Sequence, residues 1–181
     1  MNYLASFQLK LFDNSGNYAD SLKFSLTLNL TSSRNIGIHD IGNLAFTLSN
    51  LGRYGLGEGS ICPAGGRGFR FPKSGKDNLF EGAFLIGKSR TQVVDAARDG
   101  TGKFSKGDFV PLGDFDITVP GKVSDQDGVG VFSDSRAANP IGLEIEQRSF
   151  AFANPPDDDY IILEFTLRNK TADTLKGIYP G

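Results

Sequence analysis

The 181-residue chain has no tryptophan, one methionine, one cysteine (Cys62) and one histidine (His39). A single cysteine cannot close an internal disulfide. That suits a reducing compartment, or a bacterial surface protein built without disulfides. A single histidine excludes a multi-histidine metal site. A thiol or serine hydrolase would have to take His39 as its base, and no Gly-x-Ser-x-Gly turn supports one. Lys+Arg 19 stand against Asp+Glu 21 for a net charge of -2, with the basic residues scattered among acidic ones. Without a basic stripe to neutralise phosphates, nucleic acid is not an expected partner. No apolar run approaches the roughly 20 residues of a membrane helix, so no membrane insertion is expected. The start, Met1-Asn2-Tyr3-Leu4, has neither the basic nor the apolar part of a signal peptide. It reads as a cytoplasmic protein or as a mature segment with an initiator Met. No window sustains a helical period; Thr91 to Ala97 has room for a turn or two.

What is present is glycine, 23 residues without period, and phenylalanine, 15 residues. Together they suit sheets joined by tight turns, with enough aromatic bulk for a core. Strand signals dominate. Leu22, Phe24, Leu26, Leu28 and Leu30 alternate with polar residues, as do Phe7, Leu9 and Leu11 before them, with Asp13 to Asn17 as a hairpin turn. Short strands are expected at Ala45 to Leu48, Phe69 to Phe71, Leu79 to Ile86, Phe115 to Val119, Val129 to Val131 and Ile141 to Ile145. The clearest runs from Ile161 to Leu167, after the break Pro155-Pro156-Asp157-Asp158-Asp159. Gly52 to Lys76 reads as a long Gly-rich loop region, and Asp95 to Asp108 as a polar loop. The expected fold is all-β: one antiparallel β-sandwich domain over 1–181 with long Gly-rich loops.

Motifs with chemistry are sparse. Gly52-Arg53-Tyr54-Gly55-Leu56-Gly57-Glu58-Gly59 lacks the following helix that a dinucleotide loop needs. Gly75-Lys76 is followed by Asp77 where a P-loop needs Ser or Thr. Glu144 and Glu146 share one strand face, as neighbours two apart must, and read as a solvated face. For a metal the sequence offers Asp125, Asp127 and Asp134 around a Gly-rich turn. Short-spaced carboxylates suit calcium, though the EF-hand register is not met; the competing reading is turn aspartates capping their own backbone. No other cofactor is indicated.

The segment from Gly68 to Gly87, Gly-Phe-Arg-Phe-Pro-Lys-Ser-Gly-Lys-Asp-Asn-Leu-Phe-Glu-Gly-Ala-Phe-Leu-Ile-Gly, resembles part of the N-terminal β-rich region of large secreted and cell-surface proteins of bacteria with type IX secretion. There a Gly-rich stretch leads to a Pro-containing turn and an apolar strand ending in Ile-Gly. The blocks from Pro140 to Phe152 and from Asp158 to Asn169 are similar to the segments that follow. The resemblance covers the chain from about Asn43 to its end and brings no catalytic residue. It implies an extracellular or cell-surface module of a multidomain protein, of which this chain would be a fragment.

The function expected from these readings is non-catalytic: a module for structure or for ligand binding, with carbohydrate as the ligand class. Tyr54, Phe69 and Phe71, aromatics on Gly-rich loops, are the candidate ligand-binding residues. Two alternatives stand beside it. One is a fragment of a secreted peptidase or glycoside hydrolase whose catalytic part lies outside this chain. The other is a surface-assembly or fibre subunit that pairs with other surface proteins through strand edges.

Overall fold

The structure is a computed structural model that describes residues 2–12, 18–29, 35–55, 68–79, 81–97 and 107–181; in the first two segments only the backbone is described. All regular structure among the described residues is β. The chain divides into two compact units, 1–31 and 32–181.

The first unit is a long antiparallel pair, β1 (Asn2–Phe12) with β2 (Tyr18–Asn29). Its register sets Phe7 opposite Phe24, Leu9 opposite Leu22 and Ala5 opposite Leu26. The expected alternation of both runs thus falls in phase across the pair. The turn expected at Asp13 to Asn17 lies outside the described residues.

The second unit holds three antiparallel sheets. The first joins β3 (Ile36–His39), β4 (Ala45–Ser49), β5 (Arg53–Tyr54) and β7 (Gly82–Ala83), with β6 (Phe69–Arg70) also on β4. The second joins β8 (Leu85–Ser89), β9 (Gln92–Asp95) and β15 (Tyr179–Pro180), in the order β15-β8-β9. The third runs β10 (Val110–Pro111), β12 (Gln126–Ser133), β13 (Leu143–Ala151), β14 (Ile161–Asn169), with β11 (Asp116–Thr118) also on β12.

Two expectations change. Gln92–Asp95, read as a turn or two, is a strand, because Val94 is fully buried against the core and pairs with Ile86. The single strand expected from Leu79 to Ile86 is split between two sheets at Phe84. Its N–H donates to Gly52 O (2.7 Å), while its carbonyl accepts from Ala96 N (3.0 Å).

The core is phenylalanine-rich. Phe84 stacks on Phe165 (ring centroids 4.8 Å) and lies near Phe109 and Phe132, which meet edge to face at 5.0 Å. Burying a ring as fully as those of Phe84, Phe109 and Phe132 contributes about 1.5–3 kcal/mol. A second cluster forms on Phe46, Leu48 and Phe115. Phe115 fits a slot floored by glycine: a Cβ on Gly37 or Gly130 would meet its ring at 2.3 and 2.6 Å. Any side chain there would evict the ring, so part of the glycine content reflects close packing as well as turns.

Candidate functional site

The lone histidine meets a serine. β3 carries His39 and β13 carries Ser149, 110 positions apart in sequence, and both side chains are fully buried. Ser149 Oγ lies 2.7 Å from His39 Nε2. On the other side of the ring, Nδ1 lies 3.3 Å from Gln126 Oε1. The amide orientation is set by its other partners: Oε1 accepts from Asp40 N (3.1 Å), and Nε2 donates to Asp40 Oδ1 (3.2 Å). An oxygen facing Nδ1 makes that nitrogen the protonated one, so Nε2 accepts the serine O–H. Burial holds the ring below its usual titration range, against the opposing pull of Gln126 and of the carboxylates of Asp127 and Asp40. The ring is therefore neutral near pH 7.

Serine to imidazole to an orienting oxygen acceptor is the connectivity of a nucleophilic triad, with glutamine where a carboxylate would stand. Both side chains have no exposed surface, so the hydroxyl does not face solvent. Gly128 lies against the hydroxyl, close enough that a Cβ there would sit 2.2 Å from Ser149 Oγ. A glutamine also cannot stabilise an imidazolium as an aspartate does. What the network does is tie β3 and the residue after it to β12 and β13 in a different sheet. Sequence reasoning named His39 as the base any triad would need, but Ser149 carried no local signal.

The side chains of the aspartates proposed for calcium each bond a different stretch of backbone. Asp127 accepts from the N–H groups of Lys122 (2.7 Å), Val123 (2.9 Å) and Ser124 (2.9 Å), and from the Ser124 hydroxyl (2.7 Å). Burial pushes its carboxyl up, but the Ser124 hydroxyl and those N–H groups outweigh it and hold the group below its usual range. Asp125 accepts from Ala153 N at 2.8 Å. Asp134 is buried and accepts from Ile141 N (2.5 Å), Gly142 N (3.0 Å) and Leu143 N (2.8 Å). It follows the far end of β12, about 20 Å from Asp127 at the usual rise per residue. No group of three or more His, Cys, Asp or Glu suited to a metal occurs among the described residues. Glu144 and Glu146 do share a face, where they pair with Arg168 at 3.4 and 2.6 Å. Cys62 lies outside the described residues.

Of the three aromatics proposed for a ligand, Tyr54 and Phe69 both pack on Phe46, with centroids at 6.0 and 5.7 Å. The Tyr54 hydroxyl donates to Gln147 Oε1 (3.1 Å), and burial raises its pKa. Only Phe71 is exposed, at 43%. The most exposed aromatic described is Tyr179, at 71%. With Leu85, Ser89, Arg90 and Val93 it lines an open surface cavity of about 440 Å³. The signal was available: Gly177-Ile178-Tyr179-Pro180-Gly181 is an aromatic in a Gly- and Pro-rich segment, the criterion that selected Tyr54.

No known protein family, curated protein or solved structure matches the chain.

Proposed function

We propose that the chain is a non-catalytic binding module of an exported protein and that it holds carbohydrate at the cavity around Tyr179. The observation that carries this is the exposure of the Tyr179 ring on an open apolar floor, Leu85 and Val93, with Arg90 and Ser89 at hand. A sugar ring has apolar C–H faces that stack on an aromatic, and hydroxyls that need polar neighbours. Tyrosine offers a large rigid contact at low entropic cost, and a cleft of this size is of the usual ligand range. The polar interior, by contrast, is committed to structure: His39 and Ser149 to each other, Asp127 and Asp134 to backbone N–H groups. Placement outside the cell rests on the resemblance of the Gly68 to Gly87 and Pro140 to Phe152 segments.

The test is a glycan panel read by binding to the immobilised chain, repeated with Tyr179→Ala. Tyr179 is a surface side chain, so the variant should melt as the parent does. Hits lost in the variant support the reading; a panel without hits, or hits that survive Tyr179→Ala, overturns it.

A further inference from the structure

Among the described residues of the second unit, β14 is the last strand of its sheet and is paired on one side only, with β13. Lys170 N donates to Gly142 O (2.9 Å), which fixes the phase of that ladder. Bonded and non-bonded pairs alternate along an antiparallel ladder. Thr166 opposite Glu146 and Arg168 opposite Glu144 therefore bond to β13. The N–H and C=O groups of Leu163, Phe165, Leu167 and Asn169 point out of the free edge. Among the described residues no backbone group takes them. Side chains alternate too: Ile162, Glu164, Thr166 and Arg168 are exposed, while Leu163, Phe165 and Leu167 are half-buried against the core. Nine residues of unpaired edge form a template for another strand.

We propose that this edge pairs with the same edge of a second copy, antiparallel, about a two-fold axis at Thr166. The charges select the occupant and the register. Centred on Thr166, each Glu164 (paired with Arg148 in its own copy) faces Arg168 of the other copy (paired there with Glu144 and Glu146), which extends both pairs into one charge network on the solvent face, and Thr166 faces its own counterpart. On the core face each Phe165 meets Leu167. Opposite charges, paired threonines and an aromatic with an aliphatic are favourable cross-strand neighbours. The odd-numbered residues meet as bonded pairs, which gives about eight backbone hydrogen bonds across the seam. Centring one residue earlier also satisfies the backbone but sets Glu164 against threonine and Arg168 against Ile162. The interface is isologous, so it closes at two copies and does not grow into a fibre. This is independent of the carbohydrate reading, because Tyr179 is on a different sheet.

The test uses the full chain. Light scattering should give twice the 19.5 kDa chain mass at high concentration, falling toward one on dilution. Thr166→Lys sets two ammonium groups against each other at the axis, while within its own copy the lysine lies opposite Glu146. The variant should keep its circular dichroism and stay monomeric. In a Cys62→Ser background, Thr166→Cys should form a disulfide-linked dimer on mild oxidation. Non-bonded partners sit with Cα atoms about 4.5 Å apart, within disulfide reach. Glu164→Cys should not cross-link, because its own counterpart is about 14 Å away along the strand. A single monomer mass at every concentration overturns the proposal. So does a dimer that survives Thr166→Lys, or equal cross-linking at both positions.

Discussion

Ser149→Ala removes the hydroxyl that donates to His39 Nε2 at 2.7 Å and leaves a ring nitrogen unsatisfied inside the protein. Both residues are fully buried, so water does not replace the lost partner. An orphaned buried polar group costs about 1–3 kcal/mol, or about 2–4 °C of melting temperature per kcal/mol in a domain of this size. The same hydroxyl is the nearest obstacle to a side chain at position 128, where a Cβ would meet Ser149 Oγ at 2.2 Å and Phe115 only at 3.0 Å. Gly128→Ala alone should therefore cost about 1–3 kcal/mol through overpacking. With Ser149→Ala already in place the first clash is gone. The double variant should be less destabilised than the sum of the singles by at least about 0.5 kcal/mol, as expected for residues in contact. Urea denaturation of the four proteins closes the cycle. A Ser149→Ala protein within about 0.5 kcal/mol of the parent, or strictly additive effects, would refute the packing and hydrogen bonding described here.

Further outcomes follow from the same groups. The folded pKa of His39 is lowered by burial, so the unfolded chain binds its proton first on acidification. The stabilisation is fully present above the unfolded value of about 6.5 and declines as pH falls below it, by up to about 1.4 kcal/mol per pH unit. Asp127 acts in a separate window: its folded pKa is depressed, so its contribution is lost only below about pH 3.9. Stability measured from pH 8 to 5 should show the first decline in the parent and not in His39→Gln. Asp134→Ala strands the N–H groups of Ile141, Gly142 and Leu143 and should cost about 3 kcal/mol or more, measured by denaturation. Calcium should leave the melting temperature where a chelator puts it, because the oxygens of Asp125, Asp127 and Asp134 are taken by N–H groups; an upward shift specific to calcium would contradict that.

The all-β class was legible because alternation is a local signal. Ile161 to Leu167 reads apolar-polar in sequence and is half-buried and exposed in the same phase in β14. Phe7 and Phe24 sit in runs of matching period and meet in one register. Where the pattern is not local, reading failed. A continuous apolar run from Leu79 to Ile86 does not say that its halves belong to different sheets. Four residues at Gln92–Asp95 are too few to show a period, and only burial of Val94 fixes them as a strand. Glycines around Tyr54 suggested an exposed loop, yet Gly52 and Gly55 flank it at positive φ and its ring lies against Phe46. The Ser149 to His39 contact depends on bringing together strands far apart in the chain, which composition and spacing do not encode.

Ser149 and His39 are connected like a catalytic pair but fully buried. An organophosphorus ester that phosphylates activated serines, followed by peptide mass spectrometry, tests this directly on the native chain. No adduct is expected at Ser149, whose hydroxyl is buried. An adduct at Ser149 that disappears in His39→Gln would show an open, working nucleophile and would contradict that burial.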